Sequence, residues 1–148
     1  MKAKFDIFRK KPGESEGYRQ LIEIDIWPGQ TVLDVFHKIQ EEIDPSFAYR
    51  YSCRGAICGS CAVRINGEAA LACKTQVVPL VEKGVIVVDP LANLAVIKDL
   101  VSDFEPFWEA LERVRPFIER EYDEHDEKLT WDDKMPAKNL NQMSLICG

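Results

Sequence analysis

The sequence predicts an α+β domain, a mixed sheet with one helix packed across it, followed by a helical and linker segment. Three observations carry this prediction. Up to Pro90, short apolar segments of period two surround a single segment of helical period. An Asn-Gly pair, Asn66-Gly67, separates two short strand patterns, the strongest short-range hairpin signal. Beyond Pro90 to Leu94 the composition changes, first to a helix-rich stretch and then to a strongly acidic one. These changes divide the chain into residues 1–92, the sheet domain, and residues 93–148, a segment leading toward a further domain.

In chain order, Lys4 to Arg9 reads as a first strand with Phe5 and Ile7 on one face. Lys10 to Gly17 is polar, with Pro12-Gly13 marking a loop. Leu21 to Ile26 alternates Ile22, Ile24 and Ile26 against Glu23 and Asp25 and reads as a half-buried strand. Pro28-Gly29 ends it. Thr31 is placed to cap a helix, with Asp34 three residues on as its capping-box partner. Val32, Val35, Phe36, Ile39 and Ile43 recur at helical spacing up to Pro45. His37 falls on the polar side of that helix and is read as a surface residue without a role. Thr75 to Val81 reads as a short extended piece, Glu82-Lys83-Gly84 as a turn, and Val85 to Val88 as a buried β-branched strand stopped by Asp89-Pro90. Such an order fits a β-grasp domain. Leu94 to Phe104 is mostly apolar. Pro106 suits the first turn of a helix, on which Phe107, Trp108, Leu111 and Val114 share a face until Pro116. That aromatic pair is read as core or inter-domain packing.

Four of the five cysteines fall between Ser52 and Lys74, spaced C-x4-C-x2-C as Cys53, Cys58 and Cys61, then Cys73. Ala62 to Ile65 reads as a strand, Asn66-Gly67 as a type I′ turn, and Glu68 to Ala72 as the return. In that register Ile65 faces Glu68 and Cys61 faces Ala72, so the hairpin carries Cys73 back to the loop of the other three. This spacing is the plant-type pattern for a 2Fe–2S cluster. Gly55, Ala56, Gly59 and Ser60 allow tight backbone folding around an inorganic core, with amides able to point at its sulfurs and tune its potential. Two alternatives stay open on the residues alone. A four-cysteine zinc site usually pairs two CxxC knuckles, whereas only one CxxC is present. Two disulfides would suit a small secreted domain, whereas there is no apolar leader and a fifth cysteine is present.

The net charge of −6 is uneven. Glu119 to Asp133 holds eight acids and two bases, and reads as a solvated linker. The rest is near neutral, which argues against nucleic-acid binding. No apolar run approaches a membrane span, and no h-region opens the chain. An intracellular protein with no direct membrane span is expected, any membrane attachment coming through partners. No internal repeat is present.

Ser52 to Ala62, Asn66-Gly67 and Leu71-Ala72-Cys73 closely resemble the iron–sulfur subunit of succinate dehydrogenase and fumarate reductase. So do Asp89-Pro90-Leu91, Val96 to Val101 and Phe107-Trp108. The resemblance runs from Phe5 to about Pro116. It implies a 2Fe–2S cofactor, with Cys53 and Cys58 on one iron and Cys61 and Cys73 on the other. It also implies docking on an FAD-containing flavoprotein subunit that oxidises succinate or reduces fumarate. Electrons would pass from there through further clusters to a quinone, in a complex on membrane-anchor subunits at the cytoplasmic, inner face of the membrane. No bond chemistry is expected on this chain itself. Arg54, beside a ligand, is expected either to form a surface ion pair or to raise the cluster potential or dock the partner. The family's second domain continues with more cysteines, of which Cys147-Gly148 resembles the opening, so the chain reads as a fragment. The small 2Fe–2S subunit of a molybdenum hydroxylase can share the cysteine spacing and is the alternative from within redox chemistry. A β-grasp interaction module with structural zinc is the alternative from outside it.

Overall fold

The computed structural model describes residues 1–116. It divides the chain into two compact units, Met1–Asp103 and Phe104–Gly148. The acidic run, Trp131 and Cys147 lie outside the described residues.

Unit one is built on a five-stranded sheet, and the reason is visible in its alternation. In β1 (Lys2–Arg9) every second residue, Ala3, Phe5 and Ile7, is buried. Its partner β2 (Tyr18–Asp25) runs antiparallel to it, with Phe5 opposite Ile22, and Ile22, Ile24 and Ile26 complete the same layer. Next come α1 (Val32–Glu42), the hairpin β3 (Ala62–Ile65) and β4 (Glu68–Leu71), a single helical turn α2 (Val78–Val81), and β5 (Ile86–Asp89). The strand order is β2-β1-β5-β3-β4. β5 is parallel to β1 and antiparallel to β3, so the sheet is mixed. This is the expected β-grasp arrangement. Helix α1 buries Val32, Leu33, Val35, Phe36 and Ile39 as part of one core with the sheet residues.

The start of α1 is held as the sequence indicates. Thr31 Oγ1 accepts the Asp34 amide at 3.3 Å, and Asp34 Oδ2 accepts the Thr31 amide at 2.8 Å, a reciprocal pair worth about 1 kcal/mol. Three expectations are corrected. Ile43 is the C-cap and 46% exposed, because the helix ends one residue before it. Residues 75–81 are not extended throughout. Pro79 lies in the first turn of α2, where its missing N–H has no helical partner to lose. Val85 is exposed, and only Ile86 and Val88 of that run are buried, since a strand with one face on the core buries alternate residues.

Residues 96–102 form an antiparallel pair, β6 (Val96–Lys98) and β7 (Val101–Ser102). The sequence showed this stretch only as apolar. The pair is clasped to the sheet by buried charge. Arg9 is 3% and Asp99 2% exposed, and Arg9 Nε donates to Asp99 Oδ1 at 3.0 Å. Asp99, in left-handed conformation at φ 47°, also accepts the amides of Lys10 at 3.0 Å and Ala48 at 2.9 Å. Arg9 donates further to Asp44 Oδ2 at 2.8 Å, to Ser46 Oγ at 3.3 Å and to Gln20. In unit two, α3 (Glu105–Val114) has Pro106 in its first turn, as expected, and ends on Arg115 at φ 47°. Phe107 and Trp108 meet edge to face at 5.0 Å.

Asp99→Ala should cost about 3–5 kcal/mol in urea unfolding, because it removes one of the two carboxylates paired with a buried guanidinium and leaves the Lys10 and Ala48 amides without their acceptor. Asp44 is held down to about 2, first by the Ser46 hydroxyl and then by Arg9, from an ordinary 3.8. A depressed carboxylate contributes stability in full above its ordinary pKa and loses it as the pH falls from about 4 toward 2. Asp44→Asn should therefore lower stability at pH 7 by about 1–2 kcal/mol and flatten the acid limb of the pH–stability curve over that window.

Candidate metal centre

The hairpin has the register the sequence specifies. Ile65 pairs with Glu68 and Ala62 with Leu71, and the Ala72 amide donates to the Cys61 carbonyl at 3.1 Å. Asn66 at φ 51° and Gly67 at φ 88° are both left-handed, as a type I′ turn requires. Asn66 Oδ1 also accepts the Val87 amide at 2.8 Å, tying the turn to β5. After β4 the chain closes a turn in which the amides of Lys74 and Thr75 reach the Leu71 carbonyl at 3.0 and 3.1 Å. The first amides of a helix have no partner within it. In α1 the amides of Leu33 and Val32 donate to the carbonyls of Ala72 at 3.0 Å and Thr75 at 2.9 Å. The helix start therefore holds the turn that bears Cys73.

The loop from Cys53 to Cys61 folds through left-handed residues at Arg54 (φ 55°), Ala56 (φ 58°) and Gly59 (φ 75°). Such reversals turn successive amides toward one concavity, a form that receives anions. The amides of Gly55, Ile57 and Cys58 converge on Cys53 Sγ at 3.4, 3.4 and 3.3 Å. The Cys53 amide reaches Cys58 Sγ at 3.5 Å. Ile57, not singled out by the sequence, supplies one of these amides while its side chain stands 87% exposed at the loop tip.

All four thiols are free. They lie in two neighbouring pairs. Cys53 and Cys58 exchange amide–sulfur contacts, and the thiol and amide of Cys73 act directly on the Cys61 thiol. Among the described residues, no group of three or more His, Cys, Asp or Glu side chains is placed to hold a single metal ion. The pairs differ in environment. Cys58 is lowered to about 6, chiefly by the Ser60 hydroxyl and then by the Cys53 and Ser60 amides. Burial pushes the Cys61 thiol up to about 11. A two-iron cluster takes two thiolates per iron, so the donor set fits that group: two pairs, with converging amides to meet negative charge.

Residues 4–109 match the model of the 2Fe-2S iron-sulfur cluster binding domain. The chain belongs to that family. Its cofactor is a 2Fe–2S cluster. The fumarate reductase iron-sulfur subunit of Haemophilus influenzae is 42% identical over 88 residues, which are 60% of this chain and 34% of that protein. Succinate dehydrogenase [ubiquinone] iron-sulfur subunit 3, mitochondrial, of Arabidopsis thaliana is 38% identical over 121 residues, 80% of this chain and 39% of that one. The chain thus spans little more than a third of these relatives. Among solved structures, the Mycobacterium smegmatis Sdh1 complex in the apo form superposes with a TM-score of 0.75 at 27% identity. The match covers 89% of this chain and 55% of that one. Among the described residues no helix is long and apolar enough to cross a membrane.

Behind the loop the structure places a residue the sequence left without a role. His37 is half-buried, not a free surface group. Its Nδ1 lies 2.6 Å from the Tyr49 hydroxyl and its ring meets Tyr51 edge to face at 4.5 Å. Arg54 lies over the other side of this cluster, its guanidinium 5.1 Å from the Tyr51 ring centre. Helical spacing put His37 on the polar side correctly. Its neighbours are twelve or more residues away in sequence, so no local signal could reveal them.

Gly67→Ala forces a Cβ into a left-handed turn, at a cost of about 1–2 kcal/mol. Because that turn sets where Cys73 arrives, the substitution should lower both the urea midpoint and the iron retained per chain. A drop in stability with full iron retention would show that the turn does not govern the site.

Proposed function

We propose that Cys53, Cys58, Cys61 and Cys73 hold the 2Fe–2S cluster, Cys53 with Cys58 on one iron and Cys61 with Cys73 on the other. On this reading the chain is the electron-transfer part of a succinate dehydrogenase or fumarate reductase complex. It relays single electrons between the FAD of a flavoprotein subunit and quinone-side clusters. The observation that carries the ligand assignment is the arrangement of four thiols as two pairs at the mouth of one hairpin. The names of the relatives support the complex over the molybdenum-hydroxylase and zinc alternatives.

When bound, the cluster supplies one-electron transfer without making or breaking substrate bonds. The residues of this chain supply the rest. The Gly55, Ile57 and Cys58 amides stabilise added negative charge at the Cys53 sulfur, which raises the potential. Arg54 places a cation beside a ligand to the same effect. The exposed loop, with Ile57 at its tip, is the face presented to the flavoprotein, and membrane-anchor subunits hold the complex at the inner face of the membrane. Residues 1–92 act as the cluster domain. Residues 93–148 act as the linker toward a further domain, and β6–β7 at its start is clasped to the sheet by Arg9 and Asp99.

The chain reconstituted without oxygen should bind about two irons and two sulfides. Reduced with dithionite, it should give about one rhombic S = ½ signal per chain. Cys73→Ala should abolish that signal. In its native source, a tagged copy should copurify with a flavoprotein whose FAD is reduced by succinate or reoxidised by fumarate. Zinc bound without sulfide would overturn the cluster assignment, and copurification with a molybdopterin subunit would overturn the complex.

A further inference from the structure

The hydrogen bonds around Tyr49 decide which nitrogen of His37 carries its proton. Gln40 Nε2 donates to the Phe47 carbonyl at 2.9 Å, which orients the carboxamide and leaves Gln40 Oε1 as an acceptor. Tyr49 donates its single hydroxyl proton to Gln40 Oε1 at 3.1 Å. The Tyr49 oxygen can then only accept at its 2.6 Å contact with His37 Nδ1. The proton of neutral His37 therefore sits on Nδ1, and Nε2 is a bare acceptor, buried and without a hydrogen-bond partner.

This chain of bonds is continuous with the cysteine loop. Tyr49 stacks on Tyr51 with ring centres 5.8 Å apart and planes 26° apart. His37 closes on Tyr51 from the side at 87°. The Arg54 guanidinium rests over Tyr51, and Arg54, held left-handed, is bonded to Cys53. An imidazolium at His37 would meet repulsion from Arg54 of the cysteine loop and attraction from Asp34 and Glu41 of its own helix. Burial and Arg54 win, so the pKa of His37 is lowered and the ring is neutral near pH 7. Tyr49 and Tyr51, from the segment packed against it, are the other titratable groups it faces.

We propose that His37 is a positioning residue for the redox centre. Its Nδ1–H tautomer locks the Tyr49–Tyr51 stack, and the stack fixes the guanidinium of Arg54, the cysteine-loop residue next in sequence to Cys53, whose positive charge raises the reduction potential. The proposal rests on the four-cysteine reading above.

A double-mutant cycle on the reconstituted full chain tests it, with midpoint potentials read by EPR-monitored titration. Arg54→Gln and His37→Ala should each lower the potential. The double variant should fall no further than Arg54→Gln alone, because His37 acts through Arg54. His37→Asn, which keeps a donor near the Nδ1 position, should recover part of the loss. A His37→Ala potential equal to wild type, or a shift that adds fully to that of Arg54→Gln, overturns the proposal. The tautomer is measured separately by 15N NMR on the unreconstituted wild-type chain at pH 7, which needs neither cluster nor variant. A proton on Nδ1 is expected, and a proton on Nε2 overturns the proposal. Failure of every form to bind iron and sulfide would strike the four-cysteine reading instead, and leave the tautomer result to judge the Tyr49 network alone.

Discussion

The position of Cys73 depends on the register of one hairpin. A strand's side chains alternate with period two, so a slip of one residue moves every side chain to the other face. Here the turn at Asn66-Gly67 fixes the count, since both residues take the left-handed conformation that a two-residue turn needs. Val63 and Ile65 then face the core, and Cys61 and Cys73 arrive side by side. The same register brings the carbonyls of Ala72 and Thr75 under the start of α1, where they accept hydrogen bonds from the helix's first amides. Core packing, helix capping and the placement of the fourth thiol are thus one constraint seen from three sides.

A second constraint acts at the far end of the sheet. Arg9 occupies an inward position on β1, where the alternation calls for another apolar residue. It is tolerated because Asp99, Asp44, Ser46 and Gln20 surround it with acceptors. A buried ion pair is a weak source of net stability, but losing one partner is costly. Its effect here is to tie together three separated stretches, β1, the residues just after α1 and the β6–β7 turn. The Phe47 to Tyr51 segment leaves from this junction, with Arg9 over the Phe47 ring at 5.3 Å. The aromatic stack that backs the cysteine loop is therefore anchored at its root by charge and at its end by Arg54.

Much of this was legible because the signals are local. The hairpin, its turn and its register follow from four residues on either side of Asn66-Gly67. The capping box follows from Thr31 and Asp34. What was not legible depends on distant partners. Nothing near Asp99 announces that it caps Lys10 and Ala48, so β6–β7 read only as an apolar run. His37 bonds to a residue twelve positions on, and periodicity reports which side of a helix a residue occupies, not what covers that side. Val78 to Val81 misled for another reason: β-branched residues favour strands, yet Pro79 in a first turn makes a short helix inexpensive.

The cysteine loop violates the local rules that the rest of the domain obeys, and the violations share a direction. Arg54 and Ala56 are left-handed without being glycine, which costs about 1–2 kcal/mol each. Ile57 is left in water. Those losses yield three amides aimed at one sulfur, an arrangement that a relaxed loop would spend on its own carbonyls. Amides directed at a thiolate gain most when that sulfur carries negative charge. The strain is therefore best offset when the loop is wrapped around an anionic centre and least offset when it is empty. The scaffold must supply the difference, which is why the packed hairpin, the helix start and the Tyr49–Tyr51 stack all border this loop. A site whose geometry is held from behind can stay exposed in front, as Ile57 at the loop tip is.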